Sequence, residues 1–133
     1  MNTRRRNNMM ALCLFAGLAL FALMVGRSVI AQDWRTASTA PVGLAPDPAA
    51  TPEAVVQVYG ARTWGWRGNF GVHTWVAVKP QDADAYTVYE VIGWRLRWSD
   101  TVVAIHQRAA DARWYGNSPE LYAEKRGDEA EKL

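Results

Sequence analysis

The sequence predicts an α+β protein: an N-terminal apolar helix, then a small antiparallel sheet of about four strands followed by a C-terminal helix. Three observations carry that reading. Met9 to Gly26 is an uncharged, almost wholly apolar run. Between Val55 and Ile105 lie short runs rich in Val, Ile, Tyr and Trp, broken by Gly, Pro or Asp. Ser118-Pro119-Glu120 has the order of a helix start, with a hydroxyl cap, a proline at the first helical position and an acid in the first turn.

The first element is a targeting segment spanning residues 1–31. Arg4-Arg5-Arg6 precedes the apolar run, as in a secretory signal, and Val29-Ile30-Ala31 suits cleavage after Ala31. Read as a membrane span, the 18 residues from Met9 to Gly26 reach the lower limit for a hydrocarbon core of roughly 30 Å. The run is long for a signal core, so an uncleaved anchor through residues 9–26 is expected, with the arginines on the cytoplasmic side. Residues 32–53, with Pro41, Pro46, Pro48 and Pro52, read as an extended linker holding the domain off the membrane. Residues 54–133 form the domain.

Charge and cysteine content narrow the function. Four of the 15 basic residues belong to the targeting segment and all 13 acids lie beyond it, so the remainder carries a net charge of −2. The basic character is that of the leader, and no nucleic-acid partner is expected. Cys13 is the only cysteine and lies in the apolar run. The domain therefore has no thiol nucleophile, zinc–thiolate set or disulfide. It has no phosphate loop and no Gly-x-Ser-x-Gly turn, so no cofactor and no metal are assigned.

Val55-Val56-Gln57-Val58-Tyr59 reads as the first strand. Val72 to Val78 is the second, alternating Val72, Thr74, Val76 and Val78 against His73, Trp75 and Ala77. Tyr86 to Ile92 is the third, ended or bent at Gly93, and Trp94-Arg95-Leu96-Arg97-Trp98 alternates as its continuation with the indoles packed inward. Thr101 to Ile105 is the last strand, and Trp114-Tyr115-Gly116-Asn117 is a loop before the helix.

The densest chemistry lies between the first two strands. Trp64, Trp66 and Trp75, with Gly65, Gly68, Gly71, Arg62, Arg67 and His73, fall within a single short stretch. Glycines there let the chain turn or approach another segment closely. Trp64, Trp66 and Arg67 are candidate ligand-binding residues, as stacking platforms and a cation; packing of an indole into a small core competes for at least one of them. His73 is the candidate general base. Pairing residues 72–78 with 86–92 brings Glu90 near it, as the carboxylate that fixes the imidazole and stabilises its charged form. His106 reads as an exposed strand end. His73, His106 and Glu90 together contain metal-ligand types, but their spacing demands no metal. Arg95 and Arg97 share a face that could grip an anion, and more simply face solvent. Ser118 reads as a helix cap. No complete catalytic set is visible.

Much of the domain resembles domain of unknown function 3750, a bacterial family of unestablished function. The resemblance rests on Val58-Tyr59, the run Ala61 to Gly68, Val72-His73-Thr74-Trp75-Val76-Ala77-Val78-Lys79-Pro80, Tyr86, Tyr89-Glu90-Val91-Ile92-Gly93-Trp94, and Trp114 to Leu121. It implies a protein anchored in the bacterial inner membrane and facing the periplasm, or secreted there. A looser similarity, a histidine at the mouth of one strand with a polar residue on the next, is to circularly permuted papain-like folds. These include the permuted NlpC/P60 peptidases and the lecithin:retinol acyltransferase-like enzymes, and the similarity implies His73 as base and Glu90 as its orienting group. No nucleophile follows the sheet, and family members run on beyond the point where this chain stops. The expectation is therefore a non-catalytic or incomplete envelope protein, completed by a further C-terminal segment or an envelope partner. The alternative is one portion of a papain-like hydrolase or acyltransferase.

Overall fold

Strict alternation sets the sheet, because every second side chain of an extended run turns to the same side. The computed structural model, which describes residues 3–30 and 33–133, forms α1 from Thr3–Ile30. It forms β1 from Val55–Arg62, β2 from Val72–Lys79, β3 from Thr87–Val91, β4 from Val103–Gln107 and β5 from Glu120–Arg126. The strands make one antiparallel sheet in the order β4-β3-β2-β1-β5. The register runs Tyr59↔Trp75, Trp75↔Glu90 and Glu90↔Ala104, so Tyr59, Trp75, Glu90 and Ala104 share one face.

That face is the core. Val55, Tyr59, Ala61, Trp75, Ala77, Tyr86, Val88 and Ala110 cluster there, with the Tyr59 and Trp75 rings stacked 5.8 Å apart. No helix covers it. Two irregular segments do, and they are bonded to each other. Arg113 N–H donates to the Ala40 carbonyl at 3.1 Å, and Gly116 N–H to that of Ser38 at 2.9 Å. The Asp111 carboxylate accepts from the N–H groups of Leu44 and Ala45 at 2.6 and 3.2 Å, and the Tyr86 hydroxyl donates to the Pro46 carbonyl. The proline-rich stretch from Ser38 to Pro46 thus lies against the domain.

The expected C-terminal helix is a strand. Residues Glu120–Arg126 pair with β1 through Val55↔Arg126 to Gly60↔Glu120, with a bulge at Val58/Tyr59. The local cap signal lost to tertiary pairing: the free edge of β1 offers backbone partners that a short terminal helix must make for itself. The Ser118 hydroxyl accepts from Arg113 Nη1 rather than from a helix N–H. The sheet therefore has five strands, not four. Gly93–Arg97 is a 3₁₀ helix, and Trp94, Leu96 and Trp98 are exposed rather than packed inward. Ile92 N–H bonds to the Val102 carbonyl at 2.7 Å, just beyond the Val91↔Val103 pair, so the intervening residues become an excursion between β3 and β4.

α1 is helical as expected. Among the described residues, however, no helix is long and apolar enough to cross a membrane. α1 is thus shown as a helix, and the membrane span expected over residues 9–26 is not among what the described residues carry. The expected cut after Ala31 lies outside the described residues.

Gly68 is fixed by close approach. It sits in the 3₁₀ helix Gly65–Asn69, where its carbonyl accepts from Arg62 Nη1 at 2.8 Å, and a Cβ would run into the Thr63 carbonyl oxygen. Gly68→Ala should cost about 1–3 kcal/mol by overpacking. At Gly93 nothing stands within 4 Å of the added carbon, so Gly93→Ala should change stability by less than about 0.5 kcal/mol. Denaturant midpoints of both variants check this; equal midpoints would show that the loop does not need the glycine.

Candidate functional site

The Trp75↔Glu90 pair sets His73 diagonally across from Glu90 on the inner face, two positions along β2. The imidazole Nε2 lies 2.6 Å from Glu90 Oε2, and the two side chains are only 12% and 3% exposed. β4 supplies the next partners by the same alternation: Ala104, His106 and Arg108 follow one another at every second residue. His106 Nε2 is 3.2 Å from Glu90 Oε1, and Arg108 Nη2 is 3.7 Å from Oε2. The indole of Trp114 stacks on the His73 ring with centroids 3.6 Å apart and planes at 16°. Trp75 flanks the same ring at 5.9 Å and anchors itself by donating Nε1–H to the Ala110 carbonyl at 2.7 Å. The Arg108 guanidinium lies 5.1 Å over the Trp75 ring.

Burial works to raise the Glu90 pKa. The hydrogen bond from His73, then the charge of Arg108, then those of His73 and His106, outweigh it and hold the carboxyl below its ordinary value. Burial likewise pulls the Arg108 guanidinium down, against Glu90, which raises it. Glu90 is thus an anion at neutral pH. Because Nε2 faces a carboxylate, the proton belongs on Nε2 and the lone pair on Nδ1. A carboxylate-bonded, ring-stacked imidazole whose Nδ1 makes no hydrogen bond among the described residues has the geometry of a general base.

The structure brings His73 and Glu90 together and leaves the other candidates outside their contacts. Trp66 is 45% exposed on the 3₁₀ helix after β1, with the Arg67 guanidinium 5.2 Å over its ring. Trp64 Nε1 is buried without a hydrogen-bond partner. Among the described residues, none of the hydrogen bonds, ion pairs or ring contacts of His73 and Glu90 involves Trp64, Trp66 or Arg67. No hydroxyl or thiol is hydrogen-bonded to His73 among them either, and no group of three ligand-type side chains is placed to hold a metal ion. Sequence reasoning missed His106, Arg108 and Trp114 as parts of the site. The alternation through Ala104, His106 and Arg108 was a usable signal for the first two; nothing local placed Trp114 on His73.

Residues 53–133, more than half of the chain, match the family model described as protein of unknown function (DUF3750), and the chain belongs to that family. No curated protein and no solved structure matches the chain.

The depressed pKa of Glu90 carries a pH dependence. A carboxyl whose folded-state pKa lies below the ordinary 4.5 stabilises the fold fully above that value and loses its contribution as pH falls through the folded pKa. Glu90→Gln should therefore be less stable than the wild type at pH 7, and the difference should shrink as the pH is lowered below 4.5. Urea unfolding of both proteins across that range measures it. A difference independent of pH would mean that the carboxylate charge is not what matters.

Proposed function

We propose that this member of the DUF3750 family is a hydrolase or acyltransferase in which His73 is the general base and Glu90 its orienting carboxylate. The observation that carries the reading is the 2.6 Å contact between His73 Nε2 and Glu90 Oε2. It leaves Nδ1 as the nitrogen that accepts a proton. In the proposed step, Nδ1 takes the proton of an attacking water or substrate hydroxyl as its oxygen adds to an acyl carbonyl. The same proton passes to the leaving group when the carbonyl re-forms. Glu90 remains a carboxylate and stabilises the transient imidazolium, while Trp114 holds the ring plane. The base needs no side-chain nucleophile of its own for this role.

The reading includes export. The Arg4-Arg5-Arg6 cluster ahead of an apolar helix supports a leader that carries the domain into the periplasm, where it stays attached or is released. A second reading, a non-catalytic envelope binding module, draws on the exposed Trp66 with Arg67 over its ring, which is a surface made for stacking rather than for chemistry.

Hydrolysis of p-nitrophenyl acetate by the full chain separates the two. General base catalysis contributes about 10²–10⁴-fold, so His73→Gln should remove the activity above buffer, and Glu90→Gln should lower it. His106→Gln should retain it, and the wild-type rate should fall in heavy water. A folded His73→Gln variant that hydrolyses the ester as fast as the wild type would leave the binding module.

A further inference from the structure

Beside the dyad lies a cleft of about 430 Å³, within the range of small-ligand sites. It is lined by Arg108, Arg113, Trp114 and Tyr115, by Thr39 and Pro41, and by small Ala side chains. It shares two walls with the dyad. Trp114 is the indole stacked on His73, and Arg108 is the cation 3.7 Å from Glu90.

The lining of this cleft carries positive charge only, with Arg108 ion-paired to Glu90 outside it. No acidic side chain lines it. The Nη2 of Arg108 is buried and has no hydrogen-bond partner, Glu90 lying beyond hydrogen-bonding distance. The side chain of Arg113 donates to a neutral group, the Ser118 hydroxyl, and forms no ion pair among the described residues. Buried guanidinium nitrogens are ordinarily satisfied, so an orphaned one on a residue that lines a cleft marks a place for an acceptor. Two of the lining residues are aromatic, and one of them is held at a conformational cost. Tyr115 has φ of +45°, a left-handed conformation rare for a bulky residue, which sets its ring edge-on to Trp114 at 4.8 Å.

We propose that this cleft binds the carboxylate of the substrate, with Arg108 and Arg113 on the anion and Trp114 and Tyr115 against an attached apolar or aromatic group. The inference rests on the general-base reading, because it places the recognised carboxylate next to the acyl group on which His73 acts. Planar guanidinium forks match a carboxylate in two parallel hydrogen bonds. The substrate class is therefore an acyl compound ending in a free carboxylate, such as a peptide with its C-terminal residue. A bare phosphate would use the arginines and leave the aromatic wall empty.

Calorimetric titration of the full chain with N-acetylphenylalanine and with its amide tests this, since the two differ only in the charge that the arginines read. The acid should bind at least about tenfold more tightly, as one charge-assisted hydrogen bond is worth 1.5–3 kcal/mol. Arg113→Gln should erase the preference, and Arg113→Lys, which keeps the charge but not the fork, should retain part of it. Equal binding of acid and amide, no binding of either, or displacement of the acid by inorganic phosphate at equal concentration would each overturn the proposal. Ester hydrolysis lost in His73→Gln, together with equal binding of acid and amide by the wild type, refutes the cleft and leaves the dyad standing.

Discussion

A buried carboxylate organises this domain. Glu90 sits in β3, between β2 and β4, on the face that the sheet turns inward. An ionised group taken out of water is tolerated only with close, well-placed partners. Three side chains meet that demand: His73 from β2, His106 from β4 and Arg108 just beyond it. A slip of one residue in either pairing would turn the partners outward and leave the charge alone. The electrostatic requirement therefore reinforces the register of three strands, and the same contacts engage the His73 ring through Nε2 alone among the described residues. Structure and site are one arrangement here.

The inner face is more polar than a small core usually is. Gln57, Lys79, Glu90 and Asp111 are buried beside Tyr59 and Trp75. Each is answered locally: Lys79 Nζ donates to the carbonyls of Pro80 and Ala83, Gln57 Nε2 to Glu124, and the Tyr59 hydroxyl to Gln57 Oε1. Meanwhile Val76, Tyr89, Val91, Val103 and Ile105 face outward. Alternation along β2 separated two faces in the sequence without saying which is buried. The volume of Trp75, and the need to enclose Glu90, decided it.

The β2–β3 hairpin and the approach of His73 to Glu90 were legible because period-two patterning and a short connection leave few alternatives. The family resemblance was legible from the order of its Trp, Gly and His residues, and the family match covers the domain. β5 was not legible. Ser118-Pro119-Glu120 is a sound local helix signal, and the partner that overrides it lies some sixty residues back, as in Tyr59↔Leu121. The run from Trp94 to Trp98 alternates like a strand, yet the neighbour it would need is already paired with β3 by Val103–Gln107. Trp114 was unreadable as part of the site for a related reason. Its position depends on the segment from Ser38 to Pro46, held through Ala40 and Asp111, rather than on its own neighbours.

The strand order sets the order in which parts of the fold can close. β2 and β3 are sequence neighbours, so the histidine–glutamate couple can close early. The last strand must travel from the β4 side to the far edge and pair with β1. Such long-range pairings close slowly, because loop entropy is lost before contacts repay it. The segment that carries Arg108 and Trp114 lies along that return path, so these walls are secured only when the journey is complete. A folding chain thus brings His73 to Glu90 well before it completes the walls that hold Arg108 and Trp114, and the cleft waits on the pairing of β5.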